Sequence, residues 1–285
     1  MEKHNELRSK AGNLALTLLI YWFLLRLAVI LIPNGSGWGH LLALALSFCC
    51  YCLWKTPAQF REMLSHKEKS MSLPLILGLF CLIAGAQLMA QLSGLLVRML
   101  AFVLRVPSNE VVGQLPVADL QLPMLLYVCL FGPVAEELLF RGIVLRTLAP
   151  YGKKLAILVS ALLFGLFHGN LLQTPYAFVL GLVLGYCGLE YRLVWSMALH
   201  VGNNLLFAYG LPKLLADLPP AVQNFWIWAL ILTTAYAGLC LLLTKAVEIR
   251  DWFRENPIRP GQMAAVFTEG TVLAFAAIML LTMII

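Results

Sequence analysis

The chain has 285 residues, of which 61% are hydrophobic and 12% charged, with a mean hydropathy of +0.86 and a formal net charge of +6. Soluble domains carry about 25% charged residues, so composition excludes an ordinary soluble domain and places the chain among polytopic membrane proteins. The positive charge does not point to nucleic acid, because the basic residues form no continuous stripe and sit mostly in short polar stretches, where they report membrane orientation.

Residues 1–10 carry charges of both signs and lead into an apolar run too long for a signal-peptide core, which reads as a first transmembrane helix. Apolar runs of spanning length fall at 11–32, 38–54, 73–94, 122–148, 155–169, 174–190, 194–210, 225–244 and 265–285. A bilayer core needs about 20 helical residues, fewer for helices inside a bundle. The expectation is an all-α membrane bundle of about eight or nine transmembrane helices with an intramembrane site. Residues 1–121 form an accessory part of about three spans, 122–210 a central part, and 211–285 a C-terminal part. The short runs between 150 and 225 suit tight helical hairpins. Cys49, Cys50, Cys52, Cys81, Cys129, Cys187 and Cys240 all lie in apolar runs without disulfide or zinc-ribbon spacing, and read as small buried hydrophobes.

Basic residues alternate with the runs. Lys3, Arg8 and Lys10 precede the first, and Lys55, Arg61, Lys67 and Lys69 follow the second. Arg146, Lys153 and Lys154 follow the fourth, Arg192 the sixth, and Lys245, Arg250, Arg254 and Arg259 the eighth. The positive-inside rule assigns all of these to the cytoplasm, with the N-terminus, and leaves the uncharged stretch at 33–39 outside. Arg98 and Arg105 break the pattern and suggest an interfacial helix after the third run.

Few polar residues remain inside the runs. Glu136, Glu137 and Arg141 lie in the fourth, His168 ends the fifth after Phe164, and the seventh contains His200, Asn203 and Asn204. Charged groups at this depth are costly and are kept for a reason. Glu137 and Arg141 stand four apart, in the favoured order for a same-face ion pair. Glu136 points about 100° away and has Phe140 where a base would be needed, so one glutamate is paired and the other free. His200 and Asn204 share a face and form a clamp for a water or a carbonyl oxygen. At about 1.5 Å of rise per residue from the cytoplasmic ends, Glu136 lies roughly 17 Å deep, His168 roughly 20 Å, Asn204 roughly 15 Å and His200 roughly 9 Å. Taken singly, the Glu–Arg pair and each histidine suit interhelical structure; together they exceed what structure requires.

In order and spacing, Glu-Glu-x-x-x-Arg (Glu136, Glu137, Arg141), Phe-x-x-x-His (Phe164, His168) and His-x-x-x-Asn (His200, Asn204) resemble the three motifs of the CAAX-protease and bacteriocin-processing (Abi) family of intramembrane endopeptidases. The resemblance covers about 120–210. It implies that Glu136 activates a water with help from His168, that His200 and Asn204 stabilise the oxyanion, and that Glu137 with Arg141 braces the fourth helix. Phe164 packs beneath His168. No serine or cysteine sits beside these groups at a nucleophile's spacing. The expected mechanism uses no metal. The alternative is a zinc held by Glu136, His168 and His200, since the family is often labelled metalloprotease, although no H-E-x-x-H pairs two ligands on one helix. The implied substrate is a membrane-associated peptide or lipidated protein, prenylated or a small precursor, handled in a prokaryotic inner membrane. Two other classes stay open: a proton-coupled carrier, for which neither inverted repeats nor paired broken helices are visible, and a non-catalytic immunity protein.

Overall fold

The computed structural model describes residues 2–32, 37–54, 69–105 and 121–283, with 56, 58, 59, 61 and 64. Every regular element among them is helical. Lys55, Lys67 and most of the 33–39 stretch lie outside the described residues, as do the side chains of Cys49, Cys50 and Cys52. Of the remaining cysteines, Cys129 and Cys187 are buried and Cys81 and Cys240 partly so, and all four are unbridged.

Helix α1 (Glu2–Leu31) begins earlier than the first apolar run. Its charged start is helical because Leu7, Ala11 and Leu14 continue the apolar face into the core, while Arg8 Nη2 donates to the carbonyl of Thr268 at 2.8 Å. Helix α2 (Trp38–Trp54) packs back along α1. Helices α3 (Leu73–Gly85) and α4 (Gln87–Leu104) join at Ala86 into one rod. Arg98 therefore lies on the exposed face of a continuing helix, and Arg105 ends it at φ 58°.

The fourth apolar run becomes α5 (122–148), which is α-helical at Leu122–Leu126, Gly132–Glu137 and Arg146–Leu148 and π-helical at Tyr127–Phe131 and Leu138–Leu145. Helices α6 (Lys153–Phe167), α7 (Gln173–Glu190) and α8 (193–215, with a π segment at Leu205–Gly210) complete the centre. Then follow α9 (Pro220–Thr244), the amphipathic α10 (Ala246–Glu255), α11 (Gln262–Phe267) and α12 (Gly270–Thr282). The last apolar run thus splits in two. Glu269 stops the first piece and caps the second, accepting from the backbone of Thr271 at 2.8 Å and Val272 at 3.0 Å.

Among the described residues, three helices are long and apolar enough to cross a bilayer by length and composition alone: Glu2–Ala28, Leu73–Val103 and Pro220–Thr244. Trp38–Phe48 and Gly270–Thr282 are apolar but shorter. In α5 the eight residues of Leu138–Leu145 are all buried. This helix packs against α6, α7, α8, α2 and α1, while Leu122, Leu130 and Phe131 in its first half are exposed. The core, centred on Phe140, Phe164, Leu163, Leu184 and Phe275, surrounds it. Glu137 and Arg141 thereby lie in the enclosed half of α5, as intramembrane charges require.

Candidate active site

The doublet sits where the second α segment of α5 gives way to its second π segment. Glu137 and Arg141 are both fully buried, and Arg141 Nη1 lies 2.9 Å from Glu137 Oε1. The same guanidinium stands over the ring of Phe164, 4.3 Å from its centroid, and Nη2 donates to the carbonyl of Gly181 at 3.4 Å. Gly188 makes room for this stem, since a Cβ there would meet Arg141 Cγ at 3.3 Å and Ser196 Oγ at 3.4 Å. The charge is therefore fixed by three helices.

Glu137 has a second partner that helix spacing did not reveal. His200 Nδ1 lies 3.0 Å from the same Oε1. A carboxylate only accepts, so Nδ1 carries the proton and Nε2 is left to face outward from the pair. Nε2 stands 3.8 Å from Glu136 Oε2. Glu136 differs from its neighbour in being 24% exposed, with this imidazole as its one basic group at ion-pair distance among the described residues. The separation of a braced glutamate from an accessible one follows the expected split.

The depth expected for His200 needs correction. It lies level with the doublet, not several ångströms above it. The α7–α8 turn is covered: buried Glu190 accepts from Lys153 Nζ at 2.7 Å and Trp252 Nε1 at 3.1 Å, and Lys69 Nζ lies 3.5 Å away. Counting residues from a turn that lies beneath these side chains places His200 too shallow.

His168 follows the last turn of α6, which stops at Gly169 with φ 55°. Its Nδ1 lies 2.9 Å from the carbonyl of Phe164. The carbonyl fixes the proton on Nδ1, so Nε2 holds a free lone pair. Phe164 packs under His168 as expected, with ring centroids 4.8 Å apart at 90°, and also meets His200 edge-on at 5.9 Å. One phenyl ring thus touches both imidazoles and the guanidinium.

Asn204 is oriented otherwise than a simple clamp would be. Its Nδ2 donates to the carbonyl of Val128 at 2.9 Å, and its Oδ1 accepts from Asn203 Nδ2 at 3.1 Å. The cause lies in α5. Gly132 N–H reaches back five residues to Tyr127, in π register. Pro133 has no N–H to give to Val128 in the same register, and Asn204 supplies the missing donor across the helix pair. One hydrogen on Nδ2 remains for another acceptor.

Residues outside the motifs also belong to this neighbourhood. Ser160 Oγ donates to the carbonyl of Phe140 at 3.0 Å and ties α6 to the second π segment. Tyr127 interacts electrostatically with Glu136 and with Arg26 of α1. Its ring packs against His40 of α2, with centroids 4.7 Å apart and the planes tilted by 47°. No spacing rule connects these positions to the motifs, because they meet through the packing of α1 and α2 on α5. Among the described residues no three of His, Cys, Asp and Glu converge as metal ligands. Glu136 and His200 approach each other, but His168 does not join them in such a set, so this arrangement does not fit a zinc held by all three.

Residues 118–206 match the family model described as type II CAAX prenyl endopeptidase Rce1-like. The matched segment contains all three motifs, and the family is one of peptidases. The resemblance read from Glu136 to Asn204 is therefore shown over the part of the chain that carries it. No curated protein and no solved structure matches the chain.

Proposed function

We propose that this chain, CAAX-protease-like over residues 118–206, is an intramembrane endopeptidase that hydrolyses peptide bonds of membrane-associated substrates with a glutamate-activated water. The observation that carries this is the asymmetry of the doublet. Glu137 is fully buried and held by Arg141 and His200, while the adjacent Glu136 is partly open and lies 3.8 Å from His200 Nε2.

Glu136 takes up one proton of a water whose other hydrogen is accepted by His168 Nε2, as the water oxygen attacks the scissile carbonyl carbon. The carbonyl π electrons move onto oxygen, and that oxyanion accepts from the remaining Nδ2 hydrogen of Asn204 and from His200 Nε2 when it is protonated. Collapse of the tetrahedral species breaks the C–N bond. The proton held by the carboxyl group passes to the leaving amine. Glu137 keeps His200 turned toward Glu136, and Arg141 balances its charge. No metal takes part in these steps.

The substrate class follows the family: a lipidated, CAAX-type or small precursor peptide presented at the membrane. The proposed setting is a prokaryotic inner membrane with the N-terminus cytoplasmic and eight or nine membrane passages, several of them short helices of the bundle interior.

The test is reconstitution of the purified protein with isoprenylated and unmodified membrane-anchored peptides, comparing wild type with Glu136→Ala. Cleavage by wild type, unaffected by strong chelators and lost in the variant, supports the proposal. Cleavage that persists in Glu136→Ala overturns it. Chelator-sensitive cleavage assigns the zinc mechanism instead, and solute uptake without cleavage assigns a carrier.

A further inference from the structure

Away from the motifs, the molecule encloses an apolar cavity of about 310 Å³ between α3, α6, α7, α9 and α10. This lies at the low end of the roughly 300–1,000 Å³ typical of ligand pockets. Leu75, Leu79, Ile157, Leu182, Val183 and Leu241 line its walls. None of Glu136, Glu137, Arg141, His168, His200 and Asn204 does. Its polar groups come mainly from the end of α9, from α10 and from the end of α7: Lys245, Glu248, Tyr186 and Tyr191.

The packing explains why the space exists. Helices α3 and α9 meet along glycines: a Cβ on Gly78 would come within 2.9 Å of Leu241 Cδ2, and one on Gly238 within 2.7 Å of Leu82 Cα. This seam locks α9 against α3. Helix α10 then crosses over and is pinned to α7 through Trp252 Nε1 and Glu190, and to α6 through Lys154 Nζ, 4.6 Å from the ring centre of Phe253. The gap between the locked pair and α6–α7 is bridged rather than filled.

Its position selects the occupant. The cavity lies at the last turns of the 25-residue apolar helix Pro220–Thr244, where the chain passes into an amphipathic helix with Val247 and Phe253 exposed and Arg250, Asp251 and Arg254 among its polar residues. That transition marks the boundary between bilayer core and headgroups. Lys245 Nζ gives one hydrogen to Glu248 Oε1 at 2.8 Å and keeps two. Arg250 Nε is paired with Asp251 Oδ1 at 3.1 Å on the same helix, so Lys245 is the cation at the cavity. Apolar walls with one lysine that keeps two hydrogens at headgroup depth complement one hydrocarbon chain bearing an anionic head.

We propose that this cavity binds one acyl chain of an anionic bilayer phospholipid, with the phosphate at Lys245. The full-length protein in detergent is titrated with palmitoyl-oleoyl phosphatidylglycerol or phosphatidylcholine, reading the unfolding temperature and the lipid adducts in native mass spectra. Wild type is expected to retain phosphatidylglycerol at least five-fold better than phosphatidylcholine. Leu182→Trp, which fills the cavity, loses both adducts and the thermal shift. Lys245→Gln, a change at an exposed side chain that leaves the cavity open, reduces the preference to near one. Equal retention of phosphatidylglycerol by wild type and Leu182→Trp overturns the site. Equal retention of the two lipids by wild type overturns the headgroup assignment. If Leu182→Trp leaves lipid retention intact but raises KM selectively for an isoprenylated peptide, the occupant is a substrate tail and the proposal falls.

Discussion

His200 and Arg141 share one oxygen: the imidazole Nδ1 and the guanidinium Nη1 approach Glu137 Oε1 at 3.0 and 2.9 Å. A single carboxylate oxygen therefore both neutralises a buried cation and sets the tautomer of a neighbouring histidine. The two tasks are separable by mutation. Removing one member of a buried pair typically costs about 3–5 kcal/mol, whereas replacing both by apolar groups is often near neutral. Arg141→Met alone is expected to lower thermal stability severely, and Glu137→Leu alone to do so as well. The double variant should recover most of the loss. Peptide cleavage should not recover with it, because His200 has lost the acceptor that holds Nδ1–H. Recovery of activity in the double variant would show that Glu137 is a brace and nothing more.

His168 offers a spectroscopic prediction that does not depend on a substrate. Its Nδ1 is held by the Phe164 carbonyl at 2.9 Å, which demands the Nδ1–H tautomer in the neutral ring. Long-range nitrogen–proton spectra of histidine-labelled protein, recorded where the ring is neutral, should show Nδ1 protonated and Nε2 bare. The opposite tautomer would leave His168 without a lone pair toward the site and remove it from water activation. In the same reading, His168→Ala should reduce cleavage by about 10²–10⁴-fold, with little change in unfolding temperature, since the ring is only partly buried.

The contrast between these two histidines shows what a linear reading reaches. The Glu137–Arg141 pair is a local i,i+4 contact and is legible from spacing, as is the isolation of Glu136 opposite Phe140. The partner of His200 lies 63 residues away, and its depth depends on a turn sunk beneath Lys153, Lys69 and Trp252. No count of residues along α8 contains that information. The bundle was legible in its helical class and central polar layer. The first π segment of α5 was not, because its cause is divided between Pro133 and a side chain on another helix. Charged residues 1–10 looked like a polar lead-in, yet Leu7 carries the core face through them.

Two glycines with opposite surroundings test the packing around Arg141. A methyl group at Gly188 would press on Arg141 Cγ at 3.3 Å and on Ser196 Oγ at 3.4 Å, whereas one at Gly94 meets nothing within 4 Å. Gly188→Ala should destabilise by about 1–3 kcal/mol through overpacking. Gly94→Ala, within α4, should be neutral or stabilise by up to about 1 kcal/mol, the usual helix-interior gain over glycine. Chemical or thermal unfolding in one detergent measures both. If both substitutions behave alike, the fit of Arg141 against α7 is looser than the distances describe.

Asn204 and Pro133 make a pair whose coupling has a definite sign. Asn204 Nδ2 donates to the Val128 carbonyl that Pro133 leaves without its π-register partner. Asn204→Ala strands a carbonyl in the bundle, at a cost of about 1–3 kcal/mol. Pro133→Ala restores a backbone N–H on the same helix, able to serve that carbonyl. The double variant should then unfold at a higher temperature than Asn204→Ala alone, a positive coupling between positions 71 residues apart in sequence. Cleavage should stay low in both, since the second Nδ2 hydrogen assigned to the oxyanion is gone from each. If Pro133→Ala fails to raise the stability of Asn204→Ala, the Val128 carbonyl is not what Asn204 is there to satisfy. If it restores cleavage as well, the carboxamide acts on the helix and not on the substrate.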